Sequence, residues 1–213
     1  PRRTWRRVVT PVFPPELEAW WLAEARTVTG KANHAAALTE LEPVVARLSD
    51  GFTTDRAAGF GDYATDAKAL VAYGLFFFPQ TFVRTLFQAD EITGRGGWRP
   101  PAGRPLRMLD LGAGSGSAGF ALASRWAREQ DIELIAVERA QASLDLATRI
   151  AVERRALWPK LTFTTRCADL AEHPVAAEGP FDVIVASFSL NECFHGRDEA
   201  AVAPDERRAQ PIG

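Results

Sequence analysis

Leu106-Arg107-Met108-Leu109-Asp110-Leu111 runs directly into Gly112-Ala113-Gly114-Ser115-Gly116. The first six residues form an apolar run of strand length, and the glycines end it abruptly. Glycine reaches backbone conformations closed to other residues and lets a ligand approach the main chain with no side chain between. A strand, a glycine turn and a helix in that order leave backbone N–H groups free at the helix start, where polar or anionic groups bind. Gly114-x-Gly116-x-x-Gly119 also satisfies a dinucleotide fingerprint, so the turn by itself admits more than one nucleotide ligand.

Outward from this stretch, three further short runs read as strands: Ile132–Val137, Leu161–Thr165 and Phe181–Ser187. Helical patterns at Gly119–Arg128 and Ser143–Leu157 separate them. Strand and helix in alternation predict an α/β fold, a Rossmann-like parallel sheet covered by helices. Three acids fall at consecutive strand ends and therefore along one edge of that sheet, where ligands of such sheets bind. Asp110 is placed to meet the amino group of a zwitterionic ligand and to repel a pyrophosphate. Glu138 is placed to accept from both hydroxyls of a ribose. Asp169, in Cys167-Ala168-Asp169-Leu170, suits the amino group of an adenine.

Residues 15–92 read as helical. Pro14-Pro15 precede Leu17, Trp20, Trp21 and Ala25 at helical spacing, and Ala35–Leu48 repeats the pattern up to a stop at Asp50-Gly51. Asp62–Phe78 and Pro79–Ile92 are predicted as two more helices, with Pro79 in the first turn of the second. Trp20, Trp21 and Trp126 fall on apolar helical faces and are predicted to be core. Glycines and prolines from Thr93 to Gly103 mark a linker. The predicted division is therefore 1–103, helical region and linker, and 104–213, the sheet domain.

The composition is that of a globular chain with a sizeable core: 213 residues, 46% apolar and 24% charged. Twenty-five basic against 27 acidic residues give a net charge of −2, so any nucleic-acid contact rests on local patches. Arg2, Arg3, Arg6 and Arg7 with Trp5 form one basic cluster, and Arg95, Arg99, Arg104 and Arg107 with Trp98 form another. Two cysteines, Cys167 and Cys193, exclude a disulfide framework and fit a reducing compartment. Cys167 reads as a small buried residue near a strand end. His34 and His173 have no companions that suggest a metal or a triad, and no apolar run is expected to reach the length of a membrane helix.

Asp110-x-Gly112-x-Gly114-x-Gly116, then Glu138, then Ala168-Asp169-Leu170 resembles the class I S-adenosylmethionine (SAM)-dependent methyltransferases. The resemblance implies SAM as cofactor, with Gly112, Gly114 and Gly116 around its methionine portion, Glu138 on its ribose and Asp169 on its adenine. It adds Ala113, Arg139, Ala168, Leu170 and Ser187 to the cofactor-binding set. The Asn/Asp-Pro-Pro-aromatic sequence usual in base-amino methyltransferases is absent after the fourth strand. Asn191 and Glu192 stand there instead, Asn191 as a hydrogen-bonding orienter and Glu192 as a candidate base.

Ser187-x-x-Leu190-Asn191-Glu192, with Tyr73-Gly74-Leu75-Phe76-Phe77-Phe78-Pro79-Gln80-Thr81-Phe82 upstream, is similar to a narrower group. This is the methyltransferase-like family of mitochondrial small-ribosomal-subunit assembly factors and their bacterial relatives, matched over roughly residues 62–192. That resemblance implies an association with small-subunit ribosomal RNA or ribosomal proteins, in a bacterial cytoplasm or a mitochondrial matrix. Some members carry a cysteine-ligated iron–sulfur cluster; two cysteines are too few for one, and no metal is expected. A small-molecule methyltransferase with a helical substrate lid, and a non-catalytic ribosome-binding module stabilised by SAM, remain as alternatives. Only four of the seven strands of a complete class I sheet are legible, so a C-terminal segment or partner chain is expected to complete it.

Overall fold

Pro15 occupies the first turn of helix α1 (Pro15–Thr29), where its missing N–H leaves nothing unpaired, and Gly30 closes the helix at φ 68°. The computed structural model describes residues 11–53, 63–170, 172 and 179–189. Helix α2 (His34–Thr53) starts at Asn33, whose side chain accepts the Ala36 N–H at 2.9 Å. It runs through the stop expected at Asp50-Gly51. A short 3-10 turn at Tyr63–Thr65 leads to helix α3 (Ala67–Gly94), capped by Asp66, which accepts the Lys68 N–H.

Helix α3 corrects the expectation of two helices meeting at Pro79: it is one helix with the proline inside it. A proline removes the donor that would meet the Leu75 carbonyl and crowds the preceding turn, and side chains bond two carbonyls nearby. The Gln80 side-chain amide donates to the Phe76 carbonyl at 2.8 Å, and the Ser117 hydroxyl donates to the Phe78 carbonyl at 2.6 Å. Burial of Phe78 and Phe82, which stack on each other with Phe13 edge-on to both, holds the helix together across the defect. Contrary to the sequence expectation, α3 is by length and composition long and apolar enough to cross a membrane. In this fold it is the helix around which α1, α2 and α4 pack.

The sheet domain runs β1 (Leu106–Leu111), α4 (Ser117–Trp126), β2 (Ile132–Glu138), α5 (Gln141–Glu153), a 3-10 turn at Arg155–Leu157, β3 (Leu161–Cys167) and β4 (Val183–Ala186). The strands are ordered β3-β2-β1-β4 and all pairs are parallel. This is the predicted Rossmann-like α/β architecture, with β1 bounded as read, β2 and β3 slightly longer, and β4 shorter than the Phe181–Ser187 expected. Parallel pairing sends every strand to the same edge, so the residues after β1, β2, β3 and β4 are neighbours in space.

One hydrophobic cluster joins the two halves. Leu17, Trp20 and Trp21 of α1 belong to the same core as Leu106, Met108, Ile132 and Leu134 of the sheet and Phe120 of α4. Trp20, Trp21 and Trp126 are buried as expected. Polar groups reinforce the join. Trp20 Nε1 donates to Glu153 at 2.7 Å, and Arg149 makes a two-pronged pair with Glu24 at 2.6 and 2.8 Å while lying over the Trp20 ring. Charge-assisted, bidentate bonds of this kind fix orientation as well as adding energy.

Close packing at the α1–α3 crossing is set by Gly74, where an added methyl group would overlap the buried Trp21 ring. Gly74→Ala is expected to destabilise the fold by about 1–3 kcal/mol, the cost of overpacking. Gly51, also helical but with open space around it, is expected to respond oppositely: Gly51→Ala gains about 0.5–1 kcal/mol. Denaturant midpoints of the two variants measure the contrast, and a destabilising Gly51→Ala would contradict this helix assignment.

Candidate cofactor site

The turn after β1 takes its shape from three glycines with positive φ: Gly112 at 65°, Gly114 at 52° and Gly116 at 87°. A methyl group added at Gly112 would overlap Ser189, whereas at Gly114 it would point into open space. The Ala113 N–H donates to the Val137 carbonyl at 3.0 Å, tying the turn to β2. Ala113 itself is buried with Ala136 and Leu144, so its side chain serves packing and its backbone shapes the turn.

Asp110 is 1% exposed, and Oδ2 accepts the Gly119 N–H at 2.8 Å. It thereby satisfies one of the donors orphaned at the start of α4 and clamps that helix to β1. The carboxyl lies beneath the turn and braces it, a structural role that the sequence did not indicate. Burial pushes its pKa up to about 7, the Gly119 bond pulls it down, and the nearby Glu138 charge raises it further. Charge repulsion of a pyrophosphate by Asp110 is therefore a weaker argument than the sequence implied.

Glu138 ends β2 with both carboxylate oxygens in use. Oε2 accepts the Gly114 N–H and Oε1 accepts the Ala140 N–H, each at 3.0 Å. A carboxylate offers about four acceptor positions, so each oxygen keeps a lone pair for a further donor. Beside it, the Ala168 N–H donates to the Glu138 carbonyl at 3.0 Å, which brings the half-buried Ala168-Asp169-Leu170 to the same corner. Arg139 is exposed at this edge, and Ser187 follows β4 there. Cys167 is exposed, not buried as expected, with Sγ donating to the Arg139 carbonyl at 3.3 Å. Asn191, Glu192, Cys193 and His173 lie outside the described residues.

Two serines were not singled out from the sequence. Ser115, inside the turn, is 4% exposed, and its hydroxyl has no hydrogen-bond partner among the described residues. Ser189 donates from Oγ to the Leu111 carbonyl at 2.6 Å and packs on Gly112, fixing the end of β4 against the turn. The glycine pattern could have pointed to Ser115 by position; nothing in the sequence marks Ser189. The donor set fits SAM: a diol acceptor at Glu138, an unpaired buried hydroxyl in the turn and open space above Gly114. Among the described residues no cluster of three or more His, Cys, Asp or Glu side chains is arranged to hold a metal.

The second basic cluster is engaged internally. Arg104 pairs with both oxygens of Asp182 at 2.6 and 2.7 Å, and Arg107 donates to Glu133 and the Pro180 carbonyl. Arg99 donates to the Thr93 carbonyl, Arg95 pairs with Glu91, and Trp98 packs edge-on to Trp126. Arg104 and Arg107 stand where strands begin, at the opposite edge from the glycine turn.

Two measurements test this geometry. A native carboxyl holding its proton to about pH 7, against 3.8 for an ordinary aspartate, binds more protons than the unfolded one across that window. Stability relative to Asp110→Asn should therefore fall as pH rises from about 4 to about 7, by up to about 1.4 kcal/mol per unit. A flat difference would contradict the buried carboxyl. Gly112→Ala, meeting Ser189, should lower the melting temperature clearly more than Gly114→Ala, which faces open space and carries mainly the strain of positive φ.

Residues 108–209 match the family model described as a methyltransferase domain. No curated protein matches the chain. Among solved structures, a protein of Methanococcus maripaludis assigned as an S-adenosyl-L-methionine-dependent methyltransferase is similar at 19% identity and TM-score 0.44, over 67% of this chain and 57% of that one. The DszA carbon methyltransferase is similar at 16% identity and TM-score 0.39, over 81% and 42%. The CurJ carbon methyltransferase is similar at 20% and 0.39, over 83% and 44%. The matched part spans between 42% and 57% of the length of these three proteins. The family match over residues 108–209 and the donor set at the strand-end edge both support a SAM-dependent methyltransferase domain in the sheet half of the chain.

Proposed function

We propose that the chain binds SAM at the edge where its strands end and transfers the methyl group to small-subunit ribosomal RNA. The observation that carries the cofactor part is Glu138, whose two oxygens are held by the Gly114 and Ala140 N–H groups with a lone pair left on each. A fixed carboxylate of this kind is prepared for a ribose diol without reorganising. The turn from Gly112 to Gly116, with the Ser115 hydroxyl, would hold the methionine portion, and Asp169 the adenine amino group. Arg139, Ala168, Leu170 and Ser187 border the same space.

When bound, SAM supplies an electrophilic methyl group on a sulfonium, and transfer is a single displacement that depends chiefly on alignment. The protein's task is to hold cofactor and acceptor in line. Asn191 as orienter and Glu192 as base belong to this proposal.

The acceptor rests on the resemblance carried by Tyr73–Phe82 and by Leu190-Asn191-Glu192. Support comes from where the first of these lies: the Phe78 carbonyl, beside Pro79, is bound by Ser117 at the start of α4, so that segment abuts the cofactor turn. The linker arginines are engaged internally, and the RNA contact of this reading falls at the cofactor edge. A small-molecule enzyme with a helical lid is less well supported, because α1 is bonded to α5 through Glu24 and Glu153. The compartment this reading implies is a bacterial cytoplasm or a mitochondrial matrix.

Calorimetric titration with SAM, S-adenosylhomocysteine and NAD tests the cofactor. The two sulfur-containing ligands should bind and NAD should not. Glu138→Ala should weaken both by about tenfold or more, since charge-assisted bonds contribute about 1.5–3 kcal/mol each. Transfer of a labelled methyl group to purified small-subunit RNA tests the acceptor; label entering no RNA would exclude it.

A further inference from the structure

Among the described residues Phe188 is the one non-glycine residue with positive φ, at 61°. Bulky side chains avoid this region, and residues held there against strain concentrate at functional sites. The residue is also 59% exposed, so the core does not account for it. The next residue fixes the strained backbone: buried Ser189 donates to the Leu111 carbonyl at 2.6 Å and packs against Gly112. Phe188 is thereby anchored one residue from the contact with the glycine turn, at the edge where β1 and β4 both end.

A cation lies over this ring. The Arg84 guanidinium carbon of α3 is 5.8 Å from the Phe188 centroid. Arg84 donates to Gln80 at 3.3 Å, and Gln80 donates in turn to the Phe76 carbonyl, so the guanidinium is steered from the segment around Pro79. Guanidinium offers five donors in a planar fork matched to phosphate, and an exposed ring offers a face for stacking. Together they match a flat heterocycle bearing an anionic group.

We propose that Phe188 and Arg84 hold the methyl acceptor, the ring stacking on a nucleobase and the guanidinium taking its phosphate. The proposal rests on the methyltransferase reading and assigns its acceptor side. A base within an RNA strand and a free nucleotide present the same chemistry.

The test uses the full chain saturated with S-adenosylhomocysteine, so that the adenosine pocket is filled, with calorimetry confirming saturation. Binding of a labelled single-stranded oligoribonucleotide of mixed sequence is followed by anisotropy, with uridine 5′-monophosphate and uridine as competitors. Phe188→Leu should weaken binding about tenfold or more and Phe188→Tyr about twofold or less, at unchanged S-adenosylhomocysteine affinity. Arg84→Gln should weaken binding and flatten its salt dependence by about one charge. Phe188→Gly, which relieves the strain, should melt no lower than the parent while losing affinity. Competition by the monophosphate but not the nucleoside supports the free nucleotide as sufficient; competition by RNA alone supports a strand. Equal binding by Phe188→Leu, or no binding of RNA or monophosphate by the saturated chain, would overturn the proposal and leave the cofactor reading intact. Failure of S-adenosylhomocysteine to bind the folded chain would instead overturn the cofactor reading, and this proposal with it.

Discussion

Asp110 accepts the Gly119 N–H at 2.8 Å, at the point where β1 passes beneath the start of α4. That bond decides how closely helix and strand approach, and Gly119 permits it, since any side chain there would press on Asp110 and Leu134. With α4 seated so closely, the chain has only Gly112 to Gly116 in which to leave the strand and enter the helix. Three positive-φ residues in five make that reversal. The cost is a carboxyl buried in an apolar setting, visible as a pKa raised to about 7.

From this clamp the remaining parts of the site follow. The turn presents its Gly114 N–H to Glu138, which also holds the start of α5 through Ala140. Glu138 in turn offers its carbonyl to Ala168. Ser189 closes the arrangement from β4 by packing on Gly112. Four strand ends are thus linked by hydrogen bonds and contacts that pass through backbone groups, which explains how one edge of a parallel sheet becomes a shaped surface. The helical region supports it from behind: Ser117 of α4 is bonded to the Phe78 carbonyl of α3, and α1 is bonded to α5.

The sheet was legible because its signals are local. β1 is an apolar run between Pro105 and Gly112, and the structure bounds it at the residues read. The glycine turn, Glu138 and Asp169 stood out because residue type and spacing are themselves the signal. Pro79 departs from expectation for a physical reason: a proline normally starts or breaks a helix, but Phe78 and Phe82 on either side of it are buried and hold the helix in place. The pairs Glu24–Arg149 and Trp20–Glu153 join residues 125 and 133 positions apart, beyond any periodicity. The pairings of Arg104 with Asp182 and of Arg107 with Glu133 are not legible locally, because the partners are distant in sequence. The burial of Asp110 and its bond to Gly119 are not legible in the sequence, since type and spacing do not reveal burial.

The central claim is that the strand-end edge, organised by Asp110 and Glu138, holds SAM. A crystal structure of the chain with S-adenosylhomocysteine tests it most directly. The account predicts the ribose hydroxyls within hydrogen-bond distance of Glu138, which keeps its bonds to Gly114 and Ala140, and the methionine portion over the Gly112–Gly116 turn. A ligand seated elsewhere, or a Glu138 that has left both N–H groups to meet it, would contradict the account.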